Sequence, residues 1–386
     1  MQMTFEWQST SDLVDTSAAS VGFDAALLQL RGLVEAGRSI EVSPAGVAPL
    51  DGSDAMLHCV TSGSTGAPKT IRRTQSSWVR SFQVNGDTLN LSPRDCVAVF
   101  GSLAHSLVLY GVLEAAHHGA SILGLHGIRP DRQSDHLARQ RASVLYLTPT
   151  QLGLLCAGGA PVPSVRHILV GGGPLRRALR DQATQVFPNA TLTYFYGAAE
   201  TSFVAWSDHE TPPGAVGLPY PDVTFQIRDA RDGVGEIWVN SPYLFEGYAT
   251  GHSSDTRWDN GFLSIGEYGR LDHAGHLYVM GRKSRMVTIA DTNVFPEEVE
   301  TYLAAILGVG GVAVIARPDA VRGHRLEAMV VLSDDSVTAD TLLRRCRLDL
   351  GPLHAPHRVH LVPTLPMLPA GKPDYAEITK MLEGAA

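Results

Sequence analysis

Residues 61–69 read Thr-Ser-Gly-Ser-Thr-Gly-Ala-Pro-Lys, and this stretch decides how the chain is interpreted. Gly63 and Gly66 can adopt backbone angles closed to other residues, so successive amide N–H groups can converge on an anion. Lys69 adds a positive charge. The side-chain hydroxyls in this stretch belong to Thr61, Ser62, Ser64 and Thr65. The pattern predicts a phosphate-binding loop, and a Ser/Gly-rich surface turn is the plain alternative.

The loop differs from the P-loop of mononucleotide kinases and GTPases. Their pattern, G-x-x-x-x-G-K-[ST], requires glycine directly before the lysine, whereas Pro68 precedes Lys69 here. We therefore do not expect a kinase or GTPase loop. The choice between a phosphate loop and a surface turn depends on the rest of the chain.

Composition and charge indicate a globular enzyme. The 386 residues are 44% hydrophobic and 18% charged, which is ordinary for a soluble protein of two or three domains. The net charge is −8 and no Lys/Arg-rich run is present, so we expect no nucleic-acid partner. The four cysteines lie far apart without metal-ligand spacing, which favours a reducing cytoplasm over a disulfide framework or zinc ribbon.

Neither a secretory signal nor a membrane span is expected. The N-terminus carries Glu6, Asp12 and Asp15 and has no basic region before an apolar stretch. The apolar segment 96–126 is interrupted by histidines and by Glu114, which are costly to bury in lipid.

The order of predicted elements indicates an α/β fold. The predicted strands are Cys96–Phe100, Ser143–Leu147, His167–Val170 and Thr191–Tyr196. The helix-like stretches between them are Tyr110–His118, Asp131–Arg141 and Leu175–Val186. This alternation predicts parallel α/β layers. After Gly214, short strands separated by turns predict an antiparallel or barrel-like subdomain, and helical spacing after Pro296 begins a compact α+β domain.

Further motifs follow the loop in a fixed order. They are Tyr-Gly-Ala-Ala-Glu at 196–200, Gly-Glu-Ile-Trp-Val-Asn-Ser-Pro at 235–242, Gly-Glu-Tyr-Gly-Arg-Leu-Asp at 266–272, Gly-Arg at 281–282, Pro-Glu-Glu-Val-Glu at 296–300 and Pro-Ala-Gly-Lys at 369–372. With the loop at 61–69, this series resembles the AMP-forming acyl/aryl-CoA synthetases and adenylation domains, the adenylate-forming enzymes. The resemblance covers residues 55 to 380, and the N-terminal region is shorter than is usual in that family.

The resemblance implies a function and a domain division. We expect ATP-dependent activation of a carboxylic acid to acyl-AMP, with release of pyrophosphate and with Mg²⁺, and then acyl transfer to coenzyme A. A fatty or aromatic acid is favoured, because no acidic residue is evident where amino-acid-activating relatives bind an amine. We expect an adenylate-forming domain at 1–282 and a small, mobile domain carrying the catalytic lysine at 283–386, with the hinge at Arg282 to Arg285.

Two other functions stay open. One is an acyl-AMP ligase that loads the phosphopantetheine of an acyl carrier protein. The other is a catalytically weak, nucleotide-binding regulatory protein. The sequence also leaves the oligomeric state open.

The resemblance assigns roles to single residues. Lys372 would swing in to bridge the carboxylate and the α-phosphate, and Glu200 would hold Mg²⁺. Tyr196 would pack on adenine, Glu267 would accept hydrogen bonds from the ribose hydroxyls, and Arg282 would reach the ribose or the α-phosphate. The other residues expected at the nucleotide are Thr61, Ser62, Gly63, Ser64, Gly66, Gly171, Gly172, Gly173, Tyr194, Gly197 and Ala198.

Three more residues are expected to take part in catalysis. Thr65 and Lys69 belong to the phosphate loop. His105 matches the family's histidine near the acyl pocket, and a satisfied core histidine is its alternative.

The chain departs from the family pattern at several positions. Ala199 replaces the threonine before the magnesium glutamate, and Ser284 replaces the usual hinge aspartate or lysine. Asp291 stands where a glycine opens the thiol channel, and Thr288 stands at a lysine position. The last two concern thioester formation rather than adenylation.

Overall fold

The computed structural model describes residues 3–14, 21–52, 54–61, 69–334, 336–368 and 373–384. The helices in these ranges are α1 Val21–Glu35, α2 Gln75–Leu89, α3 Ser106–His117, α4 Pro130–Arg139, α5 Pro149–Cys156, α6 Arg177–Val186, α7 Pro296–Ala304, α8 Ala339–Asp349 and α9 Tyr375–Gly384. The strands of the first half are β1 Ile40–Ser43, β2 Gly46–Pro49, β3 Met56–Thr61, β4 Lys69–Thr74, β5 Cys96–Val99, β6 Ser121–Gly124, β7 Val144–Leu147, β8 His167–Val170, β9 Thr191–Ala198 and β10 Ser202–Trp206. The later strands are β11 Leu218–Pro219, β12 Thr224–Arg231, β13 Val234–Asn240, β14 Gly247–Thr250, β15 Arg257–Asp259, β16 Phe262–Ser264, β17 Glu267–Leu271, β18 Leu277–Arg282, β19 Val287–Ile289, β20 Thr292–Val294, β21 Val309–Asp319, β22 Gly323–Leu332 and β23 Arg358–Leu361.

A seven-stranded sheet forms the centre of the large domain, in the order β11-β10-β9-β8-β7-β5-β6. Strands β5 to β9 pair in parallel, and β5 and β7 are buried along their whole length because helices cover both faces. Val97 and Val99 of β5 face the core that contains α3, whereas Ala98 faces the core that contains α4, α5 and α6. The predicted parallel α/β layers are therefore present.

Helix α3 begins earlier than the sequence predicts. It starts at Ser106 rather than Tyr110, and His105 occupies its N-cap with φ −82° and ψ 127°. Val108 and Leu109 in this extra turn are buried. Tertiary burial extends the helix, and the N-cap position itself holds a histidine rather than one of the favoured residues Ser, Thr, Asp or Asn.

The chain reverses its direction across the sheet between β5 and β7. From β5 it proceeds through α3 to β6 on one side, and α4 then carries it back to β7 on the other side. At such a reversal the loops separate and leave a crevice at the carboxyl ends of the strands. The loop after β5 carries Gly101 and His105. Gln151 ties this loop to the start of α5, the helix after β7, by donating from Nε2 to the Phe100 carbonyl at 2.7 Å.

Two further sheets bring distant segments beside this crevice. The first has the order β14-β4-β3-β1-β2, so β14 pairs with the strand that begins at Lys69. The second is antiparallel, in the order β15-β16-β13-β17-β18, and β12 adds to β13. It forms the subdomain that was predicted after Gly214. Within it, Glu267 of β17 lies directly opposite Arg282 of β18.

The C-terminal region has cores of its own. Sheet β21-β22-β23 packs against α7 and α8 through Val312 and Val314, and against α9 through Ala313 and Ile315. Pro296 occupies the first turn of α7, where its missing N–H costs nothing. The predicted α+β arrangement is present. Across the described ranges, no helix is both long enough and apolar enough to cross a membrane.

Candidate active site

The predicted phosphate loop joins two paired strands. Thr61, the last residue of β3, lies directly opposite Lys69, the first residue of β4. Lys69 is only 7% exposed, and its ammonium lies 5.7 Å from the ring centroid of Tyr248. The two ends of the loop are therefore fixed beside each other, with one cation at the exit. The predicted loop residues that lie outside the described ranges are Ser62, Gly63, Ser64, Thr65 and Gly66.

Glu200 lies in the turn between β9 and β10 and faces Tyr248. The Tyr248 hydroxyl donates to the Glu200 carboxylate at 2.9 Å, and among the described residues no donor reaches the second carboxylate oxygen. Burial, and then the Glu200 charge, raise the pKa of Tyr248, so this hydroxyl keeps its proton at neutral pH. Lys69, Tyr248 and Glu200 therefore form one cluster, which we call the phosphate-side cluster.

The donor set of this cluster fits Mg²⁺ held together with a nucleotide. Within the described ranges, no group of three or more His, Cys, Asp or Glu side chains could hold a metal ion. Magnesium does not need such a cage, because it is commonly bound by one or two carboxylates together with substrate phosphates and water. Glu200 is partly exposed and has one oxygen without a donor. A single carboxylate of this kind is sufficient when phosphates complete the coordination.

A second cluster joins Tyr196, Glu267 and Arg282, and we call it the ribose-side cluster. The Tyr196 hydroxyl donates to the Glu267 carboxylate, and Arg282 pairs with the same carboxylate at 3.1 Å. Glu267 is 8% exposed. The Glu267 charge raises the pKa of Arg282, and Glu200 contributes to the same rise. The two clusters are therefore electrostatic neighbours.

Tyr194 and Tyr196 stay neutral at physiological pH. Burial, and then Glu267, raise the pKa of Tyr194 to about 12. Burial is also the main cause that raises the pKa of Tyr196 well above its ordinary value. Strand β9 thus presents two protonated tyrosines beside a carboxylate that already has an arginine partner.

Local packing accounts for several of the predicted glycines. A Cβ on Gly197 would lie 2.0 Å from the Ser202 carbonyl oxygen across the β9–β10 turn, beside Ala198 at the end of β9. A Cβ on Gly171 would lie 2.3 Å from the Phe195 ring. The remaining two glycines of this turn are Gly172, which has φ +87°, and Gly173, which has ordinary contacts. Their predicted approach to the nucleobase stays a prediction.

His105 lies at the crevice, apart from the two clusters. A Cβ on Gly101 would come within 3.7 Å of its ring, which places the imidazole over the end of β5. Burial, and then His126, lower the pKa of His105, so the ring is neutral at physiological pH. The position fits the crevice of a doubly wound sheet, and its contact with an acid stays a prediction.

The hydroxyls next to Ala199 do not take the place of the missing threonine. Thr201 is 2% exposed, and its Oγ1 accepts the Ala198 N–H at 3.0 Å. Ser202 Oγ is engaged by three partners, which are Arg73, Trp78 and the Tyr243 carbonyl. The Thr201 hydroxyl donates to the Ser202 carbonyl at 3.4 Å, and the Ser202 hydroxyl donates to the Tyr243 carbonyl at 3.1 Å. Both protons are therefore used inside the protein.

Lys372 lies outside the described ranges, as do residues 369–371 before it. The segment that follows is anchored near the predicted hinge. The Tyr375 hydroxyl donates to Glu300 at 3.1 Å, and the Arg285 guanidinium lies 3.9 Å from the Tyr375 ring centroid. Arg285 also pairs with Glu300 at 2.8 Å.

The sequence reasoning missed Arg73 and Tyr248. Alternation along β4 carries the missing signal, because Lys69, Ile71 and Arg73 lie on its buried face. A charged residue at a buried-face position needs a specific set of partners.

Comparison with known sequences identifies the family. The profile of the AMP-binding enzymes matches residues 8–249, and the profile of their C-terminal domain matches residues 298–372. An uncharacterized acyl-CoA ligase, YhfT of Bacillus subtilis (strain 168), is 31% identical over 333 residues, which are 84% of this chain and 68% of the relative.

Solved structures agree with this result. The amide bond synthetase McbA from Marinactinospora thermotolerans has a TM-score of 0.75 and 26% identity, over 86% of this chain and 71% of that protein. ATP-bound MatB from Rhodopseudomonas palustris also has a TM-score of 0.75, with 25% identity over 87% of this chain and 70% of that protein. The resemblance and the fold class inferred from the sequence are both confirmed. The chain belongs to the AMP-binding enzyme family, the adenylate-forming enzymes.

Proposed function

We propose that the protein is an AMP-forming acid–thiol ligase that activates a fatty or aromatic carboxylic acid with ATP and then passes the acyl group to coenzyme A. Family membership supports the class of reaction. The phosphate-side cluster carries the proposal for this chain. In this cluster the buried Lys69 lies near the ring of Tyr248, and Glu200 accepts from the Tyr248 hydroxyl through one of its two carboxylate oxygens. Lys69 is also the residue at which the chain leaves the predicted phosphate loop.

The chemistry explains why both charges are needed. The carboxylate of the acid must attack the α-phosphorus, and both partners are anionic, so the site must offset charge and fix the approach. Bound magnesium supplies positive charge at the phosphate oxygens. Glu200 would hold that ion, and Lys69 would add a second charge from the loop exit. Tyr248 keeps one Glu200 oxygen occupied, which leaves the other to bind.

The ribose-side cluster would bind the nucleoside. Glu267 is held from two sides by Tyr196 and Arg282, so its carboxylate need not reorganise when a ribose arrives. Each carboxylate oxygen has a second lone-pair site, and Glu267 can therefore accept from the ribose hydroxyls while it keeps these partners. The Tyr196 ring would flank the adenine.

Lys372 would complete the adenylation site from the C-terminal domain. We propose that this domain spans residues 283–386 and that residues 1–282 form the nucleotide-binding domain. The contacts among Arg285, Glu300 and Tyr375 support this division, because they tie the start of the C-terminal segment to the helix that follows Lys372. A lysine on such a domain can enter the site and leave it again.

A pyrophosphate-release screen tests the proposal. Purified protein is assayed with ATP and Mg²⁺ against short, medium, long, aromatic and dicarboxylic acids, with and without coenzyme A, and products are identified by mass spectrometry. We expect acid-dependent pyrophosphate release and an acyl-CoA product. Acid-dependent release without acyl-CoA, but with acylation of a phosphopantetheinylated carrier protein, would favour the carrier-protein ligase. ATP binding without release for any acid would favour the regulatory alternative.

A further inference from the structure

Arg73 is a buried cation, and no carboxylate of the described residues is in contact with it. Its side chain is 0% exposed, and its Nε has no hydrogen-bond partner in the part of the chain that the structure describes. The guanidinium instead donates to neutral oxygens, the Ala199 carbonyl at 2.6 Å and Ser202 Oγ at 2.7 Å, and it lies 4.9 Å from the Trp78 ring centroid. Burial lowers the pKa of Arg73 to about 10, so the charge is retained at neutral pH. The Glu200 charge opposes this effect of burial only in part. Burying a charge without a carboxylate in contact is unfavourable, so this arrangement calls for an explanation.

The two short hydrogen bonds hold both ends of the turn that carries Glu200. Ala199 directly precedes Glu200, and Ser202 follows it by two residues. Ser202 adopts φ +56°, a left-handed backbone angle that is unfavourable for a residue other than glycine. One residue of the turn is therefore held against its backbone preference, while Thr201 and Ala198 bond to each other within the turn. Arg73 supplies the restraint from outside, across 126 positions of sequence to Ala199.

Arg73 also connects this turn to the phosphate loop. It lies on β4, on the same buried face as Lys69 at the start of that strand. Strand β14 pairs with β4 through Tyr248 and Ile71, and Tyr248 donates to the Glu200 carboxylate. The turn that carries Glu200 is thus tied to β4 through Arg73. The Glu200 side chain is tied through Tyr248 to β14, which pairs with β4.

We propose that Arg73 is a positioning residue that fixes the Glu200 carboxylate relative to Lys69 and thereby sets how strongly magnesium promotes nucleotide binding. This inference rests on the proposed function, in which Glu200 holds the ion. Arg73 is fully buried, so it acts through Glu200 and does not touch the nucleotide. Its planar guanidinium donates to Ala199 and Ser202 together, which the single ammonium of a lysine does not reproduce.

A binding experiment that requires no acid substrate tests this role. Calorimetry measures the Kd of α,β-methylene-ATP with excess Mg²⁺ and with excess EDTA, and the ratio of the two values is the magnesium-linked gain. We expect Arg73→Lys to reduce this gain about tenfold, the size of effect typical when a partner that orients a metal ligand is lost. The Kd in EDTA should change much less.

Arg166→Lys is the matched control. Arg166 belongs to the same domain and pairs with Asp95 at 2.7 Å, but it precedes β8 and so lies at the opposite, amino end of the parallel strands. We expect its magnesium-linked gain to equal that of the wild type. A purely structural role for Arg73 predicts instead that both Kd values rise together and the gain stays constant, which would overturn the proposal.

Two more variants keep the test decisive. If Arg73→Lys does not fold, Ser202→Gly replaces it in the test. This variant removes the hydroxyl that Arg73 binds, and glycine tolerates the left-handed backbone angle, so we expect the same loss of the magnesium-linked gain. Glu200→Gln should abolish the gain, and adding Arg73→Lys to it should change nothing further. A normal gain in Glu200→Gln contradicts the magnesium role of Glu200. If the gain is lowered in Glu200→Gln but normal in Arg73→Lys and Ser202→Gly, the positioning role of Arg73 is contradicted and the magnesium role of Glu200 is not.

Discussion

Lys372 is the residue whose loss should damage the proposed reaction most. We expect Lys372→Ala to lower acid-dependent pyrophosphate release on the order of a hundredfold, because it removes a charge aimed at the transition state. Thiolysis of preformed acyl-AMP should be largely retained. Lys380→Ala is the control, since the Lys380 side chain is 72% exposed and pairs with Glu377, three positions earlier on the same helix. Near-normal release in Lys372→Ala would refute the role of this lysine.

Glu114 is a carboxyl enclosed in the core of the large domain. Burial raises its pKa from 4.5 to about 7, against the opposing hydrogen bonds from Tyr146 and Asn85. The folded protein therefore binds this proton more tightly than the unfolded chain does. The stability that the site contributes is present below pH 4.5 and is lost as the pH rises to about 7.

This pH dependence should disappear when Glu114 becomes glutamine. A shift of this size corresponds to a loss of about 3 kcal/mol of unfolding free energy across the interval. We expect the difference in unfolding free energy between Glu114→Gln and wild type to shift in favour of the variant by about that amount from pH 5 to pH 8. Urea unfolding at several pH values measures it. Parallel pH profiles for the two proteins would mean that Glu114 does not titrate in this range.

At the scale of elements, the β19–β20 hairpin carries Asp291, which the resemblance places where the family has a glycine. Ile289 pairs with Thr292, so the loop is the two residues Ala290 and Asp291. Both have left-handed angles, φ +46° and +64°. A two-residue turn of this type favours glycine at its second position. Asp291 therefore carries backbone strain as well as a negative charge at the predicted thiol channel.

Replacing Asp291 by glycine should act on one half-reaction. We expect Asp291→Gly to leave acyl-AMP formation within about threefold of wild type and to speed transfer to coenzyme A, because only the barrier of the second step changes. Single-turnover assays that start from acyl-AMP measure the transfer step. Slower thioester formation would mean that Asp291 is adapted to the thiol site, and it would weaken the preference for coenzyme A over a carrier protein.

Elements with local sequence signals were predicted well, and those set by distant contacts were not. Strand β8 matches its prediction, and β5 differs by one residue, because buried parallel strands are continuous apolar runs. Strand β9 extends to Ala198, two residues beyond its prediction, because β10 pairs with its end. Arg73 acquires its role from partners more than a hundred positions away, which no local pattern encodes.

At the scale of the whole molecule, Arg176 connects the two predicted domains. It caps α6, just after the Gly171–Gly173 turn, and donates to the Val309 carbonyl at 2.8 Å and the Gly310 carbonyl at 3.2 Å. These carbonyls begin β21 in the C-terminal region. In this arrangement Ala290 and Asp291 are exposed to solvent. The hairpin expected to line the thiol channel is thus exposed to solvent in this domain arrangement rather than enclosed by a channel.

We therefore expect Arg176 to favour adenylation over thioester formation. Arg176→Ala removes both interdomain hydrogen bonds and should slow acid-dependent pyrophosphate release several-fold, since the C-terminal region would then spend less of the time against the large domain. Transfer from preformed acyl-AMP to coenzyme A should be equal or faster, because the domain leaves this orientation more readily. Arg177→Ala, one position further into α6, is the control. If Arg176→Ala slows both half-reactions equally, the contact stabilises the fold and does not bias the domain orientation.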